Sequence, residues 1–309
     1  MSKRKKNEAV LNAAYENQVV KQRTLAQETW LRFRRSKTAM FGLGFLLVLV
    51  AISVATLIID FVTDKSVYTM YAVEQDLVHR LQTPSGQHLL GLDEFGRDIF
   101  TRVLYGARIS LMVGVVSVAI SCVFGCILGA SAGYFGNAYD AFVMRCMDVL
   151  LAIPSLLLNI SIISALGSGV FNMMLAVGIS NIPRYCRIMR ASVLQIKNME
   201  YVDAARTAGA SSLSIIRKHI IPNCLAPIIV QATLSVGSAI IACAGLSFIG
   251  VGIAAPTPEW GAMLSNGRDF LRDYSYITLF PGLAIMITVL ALNLMGDGLR
   301  DAFDPKLRR

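Results

Sequence analysis

The sequence predicts an all-α polytopic membrane protein with six transmembrane helices, and three observations predict it. Only 16% of its 309 residues are charged and 55% are hydrophobic, where soluble domains carry about 25% charge. Mean hydropathy is +0.57. Six apolar stretches approach or exceed the roughly 20 residues that cross a ~30 Å hydrocarbon core: Met40–Val62, Ile109–Ala132, Ala141–Ala165, Val170–Ile188, Cys224–Gly250 and Tyr276–Leu294.

The elements follow in chain order. Residues 1–39 form a basic N-terminal segment, polar over 1–23 and disordered or loosely helical there. In Thr24–Lys37, Leu25, Trp30, Leu31 and Phe33 alternate with Arg32, Arg34, Arg35 and Lys37. This suits an interfacial helix against anionic headgroups; a basic stop signal for helix 1 reads equally well. The run over 40–62 is too long for a signal-peptide core and is expected to stay as helix 1, with Asp60 near its outer end reaching water. Residues 63–107 form the first outer loop. There His88, Asp93, Glu94 and Asp98 suggest a cation site, but the spacing fits no EF-hand loop. The preferred reading has turns over Gly91–Gly96 and Asp98 starting a helix with Arg102 as its ion-pair partner.

Residues 108–296 form the core, with helices 2–6. Gly125, Gly129 and Gly133 recur every four residues on helix 2, a ridge for close approach of another helix. Pro154 in helix 3 and Pro183 in helix 4 favour kinks. Asn181, Pro183 and Arg184 make helix 4 the weakest span. Arg145 and Asp148 lie three apart on helix 3 and read as an ion pair near its end rather than a relay. Asn159, Asn181, Gln231 and Asn293 are candidates for a polar route or for bonds between helices. In the second outer loop Trp260 reads as an interfacial anchor. Residues 297–309 form a short tail.

Orientation follows from charge. With the N-terminus inside, the inner segments hold 22 of the 29 Lys and Arg and the outer ones 7, the positive-inside asymmetry. Both termini are then cytosolic. The net charge of +9 is mostly this topology signal. No folded basic domain exists to bind nucleic acid. The six cysteines lie in or beside apolar spans without a His cluster, so they read as small buried hydrophobes. The chain carries no Walker loop, no His-Glu-x-x-His and no Gly-x-Ser-x-Gly, so no catalytic group or cofactor site is identifiable.

The loop over 184–222 is the most informative segment. Arg184, Arg187 and Arg190 cluster on one side of the emerging helix, suited to lipid phosphate or an acidic partner. Glu200 and Asp203 complement the dipole at a helix start. Ala204, Ala205 and Ala208 give a slim helical surface. Gly209 suits a helix stop. Ser211 or Ser212 caps a second helix with Leu213, Ile215, Ile216 and Ile220 as its apolar positions. Pro222 ends that helix and starts helix 5. The expectation is two short helices with a narrow exposed elbow.

This loop resembles the coupling loop of ABC-importer permeases: Glu-Ala-Ala, three residues, Gly, nine residues, Ile-x-Leu-Pro. Here it reads Asp203-Ala204-Ala205, Gly209 and His219-Ile220-Ile221-Pro222. Asp replaces Glu, Ile221 replaces Leu, and His219 is the real departure. The segments Leu90–Ser110, Gly133–Gly136, Asp148–Ser155 with Arg145, Pro256–Gly261 and Gly296–Pro305 are similar to the dipeptide/oligopeptide/nickel permease subfamily. Within it the chain looks like the second of two paired permeases. The resemblance implies a type I ABC-importer permease fold whose cytosolic coupling helix uses Glu200, Asp203, Ala204, Ala205, Gly209 and Pro222. It also implies a second permease as heterodimer partner, two cytosolic ATPases, an extracytoplasmic binding protein docking on the outer loops, and a peptide or similar solute. A secondary carrier or channel is the alternative; inverted repeats and midplane charges, which mark carriers, are not seen. A membrane enzyme lacks a catalytic motif.

Overall fold

The computed structural model describes residues 25–253 and 255–304. The readings made for 1–24 and for the end of the tail, 305–309, lie outside them. The described chain is helical, with one isolated antiparallel bridge, Leu92 to Asp98. α1 is Leu25–Arg35 and α2 is Lys37–Val62, capped by the Ser36 hydroxyl on Ala39 N–H. α3 is Ile99–Phe135. α4 (Asn137–Ala152) and α5 (Ser155–Leu166) follow, then α6 (Val170–Ile196). The short α7 is Glu200–Thr207. α8 runs over Ser212–Phe248 with a π segment at Ile216–Ile220. α9 is Trp260–Gly267 and α10 is Tyr276–Phe303.

Four of these helices, α2, α3, α8 and α10, are long and apolar enough to cross a membrane, and α4 with α5 makes five if the bent pair is one span. The expected single helix over 141–165 is broken: α4 and α5 meet at 91°. Pro154 removes a backbone donor and pushes Ile153 out of the α region, and Ile153 is extended at φ −89°, ψ 126°. At Pro183 the helix continues. α3 starts ten residues before the apolar run, at Ile99, because Asp98 caps it through Thr101 N–H at 2.7 Å and a helix needs no apolar face to continue into a covered loop. α10 likewise passes Leu294 to Phe303.

The glycine ridge of α3 packs on α6. A Cβ at Gly125, Gly129 or Gly133 would collide with Tyr185, the Cys186 carbonyl or Val193, so the two backbones touch as small residues allow. The main core joins α3, α6, α7 and α8 through Val118, Met173, Tyr185, Val193, Val202 and Ile220. α10 closes the other side. A Cβ at Gly298 would overlap Ala39, and Phe33 of α1 fills the corner against Ala302. Thus part of the basic helix is folded onto the bundle while Trp30 stays half exposed.

Several polar side chains find partners that the sequence did not indicate. Asp60 does not reach water: it is buried and meets Arg108 Nη1 at 2.7 Å, tying α2 to α3. Trp260 is not an interfacial anchor. It is 1% exposed, and its indole N–H donates to the Val103 carbonyl at 3.0 Å. Asp148 pairs with Arg187 at 2.5 Å, not with Arg145, which is exposed. Asp140 takes a two-pronged bond from Arg190, both arms at 2.5 Å. In each case the partner comes from a different helix, which local spacing cannot show.

Candidate functional site

Two regions lie outside the apolar bundle, at opposite ends. One is the elbow over 197–220. α6 ends at Lys197, whose ammonium donates to the Gly133 carbonyl at 3.1 Å and so ties the exit of α6 to the end of α3. α7 then presents Glu200 and Asp203 in its first turn. Asp203 pairs with Arg206 at 3.0 Å across an exposed face. Such a pair contributes only about 0.3–0.5 kcal/mol, so it is free to exchange for a partner.

The stop of α7 is a complete Schellman motif. Gly209 N–H donates to the Arg206 carbonyl and Ala210 N–H to the Ala205 carbonyl, at 3.0 and 3.1 Å. Gly209 has φ +79°, where an L side chain is strained by roughly 1–2 kcal/mol. Ser211, rather than Ser212, caps α8 through Ser214 N–H at 3.4 Å.

Val202 is the pin. It is fully buried with Val193 of α6 and Ile215, Ile216 and Ile220 of α8, a burial that contributes about 1.5–3 kcal/mol. One side of α7 therefore faces the bundle, and Ala205 and Ala210 lie on it. The other side, Glu200, Asp203, Ala204, Thr207 and Gly209, is exposed. The alanine surface read from sequence divides in two: Ala204 points out and Ala205 inward. Leu213, one of the apolar positions read for this helix, is 75% exposed: it lies about 200° round the first turn from the buried Ile215. Pro222 stands in the first turn of the α-helical stretch Ile221–Phe248, as expected, but directly after the π segment rather than after a helix end. The chain stays helical through it, the π segment absorbs the missing donor, and Asn223 Nδ2 donates to the His219 carbonyl at 2.6 Å. Pro222 faces α1, away from the α7 surface.

At the far end, the first loop is closed by a buried charge cluster. Asp93 accepts from Arg97 Nε at 2.7 Å and from Phe95 and Arg97 N–H at 2.9 Å each, and Arg102 Nε lies at 3.5 Å. Arg102 therefore meets Asp93, not Asp98, and its guanidinium also reaches the Ala72 and Pro256 carbonyls. Asp98 faces His88 at 3.0 Å. Gly91 and Gly96 carry φ +81° and +76°, the expected turns. Burial, and behind it the Asp93 charge, push the Glu94 carboxyl above its usual range. In the second loop, burial pushes the Glu259 carboxyl up against the pull of Gly261 and Ala262 N–H, which it accepts at 2.8 Å each. These carboxylates serve arginines and backbone donors, and no metal-binding group of three or more such side chains occurs among the described residues. Inside the bundle, Gln231 bonds Ser235 at 2.9 Å and Asn181 the Val177 carbonyl, while Asn159 is buried.

Residues 125–309 match the family described as the binding-protein-dependent transport system inner membrane component, and residues 24–84 match the N-terminal TM domain of oligopeptide transport permease C. The chain is 43% identical to the dipeptide transport system permease protein DppC of Alkalihalophilus pseudofirmus, over 91% of this chain and 90% of that one. It is 43% identical to the di/tripeptide permease DppC of Pseudomonas aeruginosa, covering 91% and 92%. It is 41% identical to the glutathione permease GsiD of Shigella boydii, covering 98% of both. The fold is similar to the inward-facing MetNI methionine ABC transporter, with TM-score 0.55 at 17% identity, covering 67% of this chain and 98% of that one. The chain belongs to the binding-protein-dependent permease family: it is a multi-pass membrane permease subunit of an ABC importer.

Proposed function

We propose that this permease pairs with a second, similar permease to enclose a path for a peptide or peptide-like solute, and that α7 is its coupling helix. Six crossings are formed by α2, α3, the bent α4–α5 pair, α6, α8 and α10. Both termini and α7 lie in the cytosol, and the two loops joined by Arg102 face outward toward a binding protein. Two cytosolic ATPases seat on the elbows of the two permeases. The observation that carries this reading is the two-sided packing of α7. Val202 fixes it to α6 and α8, while Asp203, Ala204 and Gly209 stand free. The peptide class rests on relatives named for dipeptides, di/tripeptides and glutathione.

Thiol labelling tests the orientation. In intact cells, a membrane-impermeant reagent should modify Gln87→Cys and spare Ser212→Cys; both sites are exposed. After permeabilisation both should react. Labelling of Ser212→Cys alone in intact cells would invert the topology and remove the ATPase reading of α7.

A further inference from the structure

One apolar groove belongs to neither end site. It is about 680 Å³ and lies between α1, the first half of α8 and the last turns of α10, within the ~300–1,000 Å³ typical of small-molecule sites. Its walls are apolar, with Leu225 and Ile229 of α8 facing Leu299 of α10 and Trp30 of α1. Two charged side chains of α1, Glu28 and Arg32, also line it. They lie four residues apart, so one helical face carries an anion and a cation side by side. Both are half-buried. Among the described residues, neither makes an ion pair or hydrogen bond. A half-exposed guanidinium and carboxylate that neighbour an apolar trough but leave each other unpaired call for a ligand with both charges and a hydrocarbon tail.

We propose that this groove is a seat for one phosphatidylethanolamine molecule. The Arg32 guanidinium takes the phosphate, as its planar fork of donors suits. Glu28 accepts hydrogen bonds from the primary ammonium, which has three N–H donors to give. The acyl chains lie along Leu225, Ile229 and Leu299, and Trp30 sits beside the headgroup as indoles do at membrane interfaces. A phosphatidylglycerol would satisfy Arg32 and leave Glu28 facing a neutral headgroup. A phosphatidylcholine would bring a cation with no N–H to donate. The bound lipid fastens α1 to the bundle at the same corner where Phe33 meets Ala302. The proposal needs only that the chain sits in a bilayer, so it stands apart from the coupling role of α7.

The test is native mass spectrometry of the purified transporter after detergent washing and incubation with equal amounts of the three phospholipids, matched in acyl chain. Wild type should retain phosphatidylethanolamine roughly 2–5-fold over each of the other two. Glu28→Gln should level phosphatidylethanolamine with phosphatidylglycerol. Arg32→Gln should lower retention of all three. Leu225→Trp, which fills the trough, should also lower all three, with the elution volume of the complex unchanged for every variant. Equal retention of the three lipids by wild type would overturn the proposal. So would a preference untouched by both Glu28→Gln and Arg32→Gln. A rise in lipid retention on deletion of residues 2–20 would show that the chain's own N-terminal segment occupies the groove, and would overturn it too.

Discussion

Ala204→Trp should leave the permease inserted and folded yet bring solute uptake close to background. Ala204 is exposed on the outer face of α7, next to Asp203 and one turn before Gly209. Nothing in the bundle rests on it, so the added indole meets water in the isolated permease. In the assembled transporter the same indole must fit a groove shaped around a methyl group. Overpacking of that kind costs about 1–3 kcal/mol, which weakens docking by roughly 5–150-fold. The readouts are ATPase subunits co-purified per permease and substrate-stimulated ATP hydrolysis in vesicles. Ala205→Trp is the instructive contrast. Ala205 packs inward on the core cluster, so its replacement should lower the amount of folded permease as well. Wild-type uptake and ATPase recovery in Ala204→Trp would make the elbow a connector only.

Asp93→Leu should loosen the whole outer cap. One carboxylate there holds the side chain of Arg97, the main chain of residues 95–97 and the edge of Arg102. Arg97 and Arg102 are each about 2% exposed. Removing the anion leaves two buried cations short of a partner, a loss of about 3–5 kcal/mol. The surrounding bundle has its own core, so the effect should be local. Limited proteolysis should cut within 63–98 in the variant and not in wild type, while α3 and α6 stay protected. Asp76→Asn, at an exposed position whose carboxylate meets His79 and the Val78 and His79 N–H groups, which an amide oxygen can still accept from, should change little. Equal protease resistance of Asp93→Leu and wild type would mean that the cluster does not hold the cap.

Features set by the local chain were legible in the sequence. Gly209 at a positive φ, Asp98 as a cap and the glycine ridge of α3 follow from backbone chemistry or four-residue spacing, and each stands in the structure where the residues place it. The apolar runs located α2 closely and the membrane stretches of α8 and α10, although both helices continue well beyond the apolar run. What depends on a distant partner was not legible. Asp60 finds Arg108, Asp148 finds Arg187 and Trp260 finds Val103, and none of these pairs shares a helix. Pro154 announced a bend but not its size, because the 91° break depends on what α4 and α5 pack against. In the elbow, residue types suggested the docking segment, but the side on which each alanine falls required knowing that Val202 is the buried pin. Leu213 and Ile215 both read as apolar positions, but two residues apart on a helix they lie on opposite sides, and only Ile215 is buried.

The central claim is that the free face of α7 touches an ATPase subunit during transport. The most direct measurement is cross-linking from position 204 in the assembled transporter, with a short photoactivatable reagent attached to Ala204→Cys and, for comparison, to Gln87→Cys. The account predicts a cross-link from 204 to an ATPase subunit whose yield changes on adding ATP, and none from 87 to that subunit. An ATPase cross-link from 87 with none from 204 would contradict it.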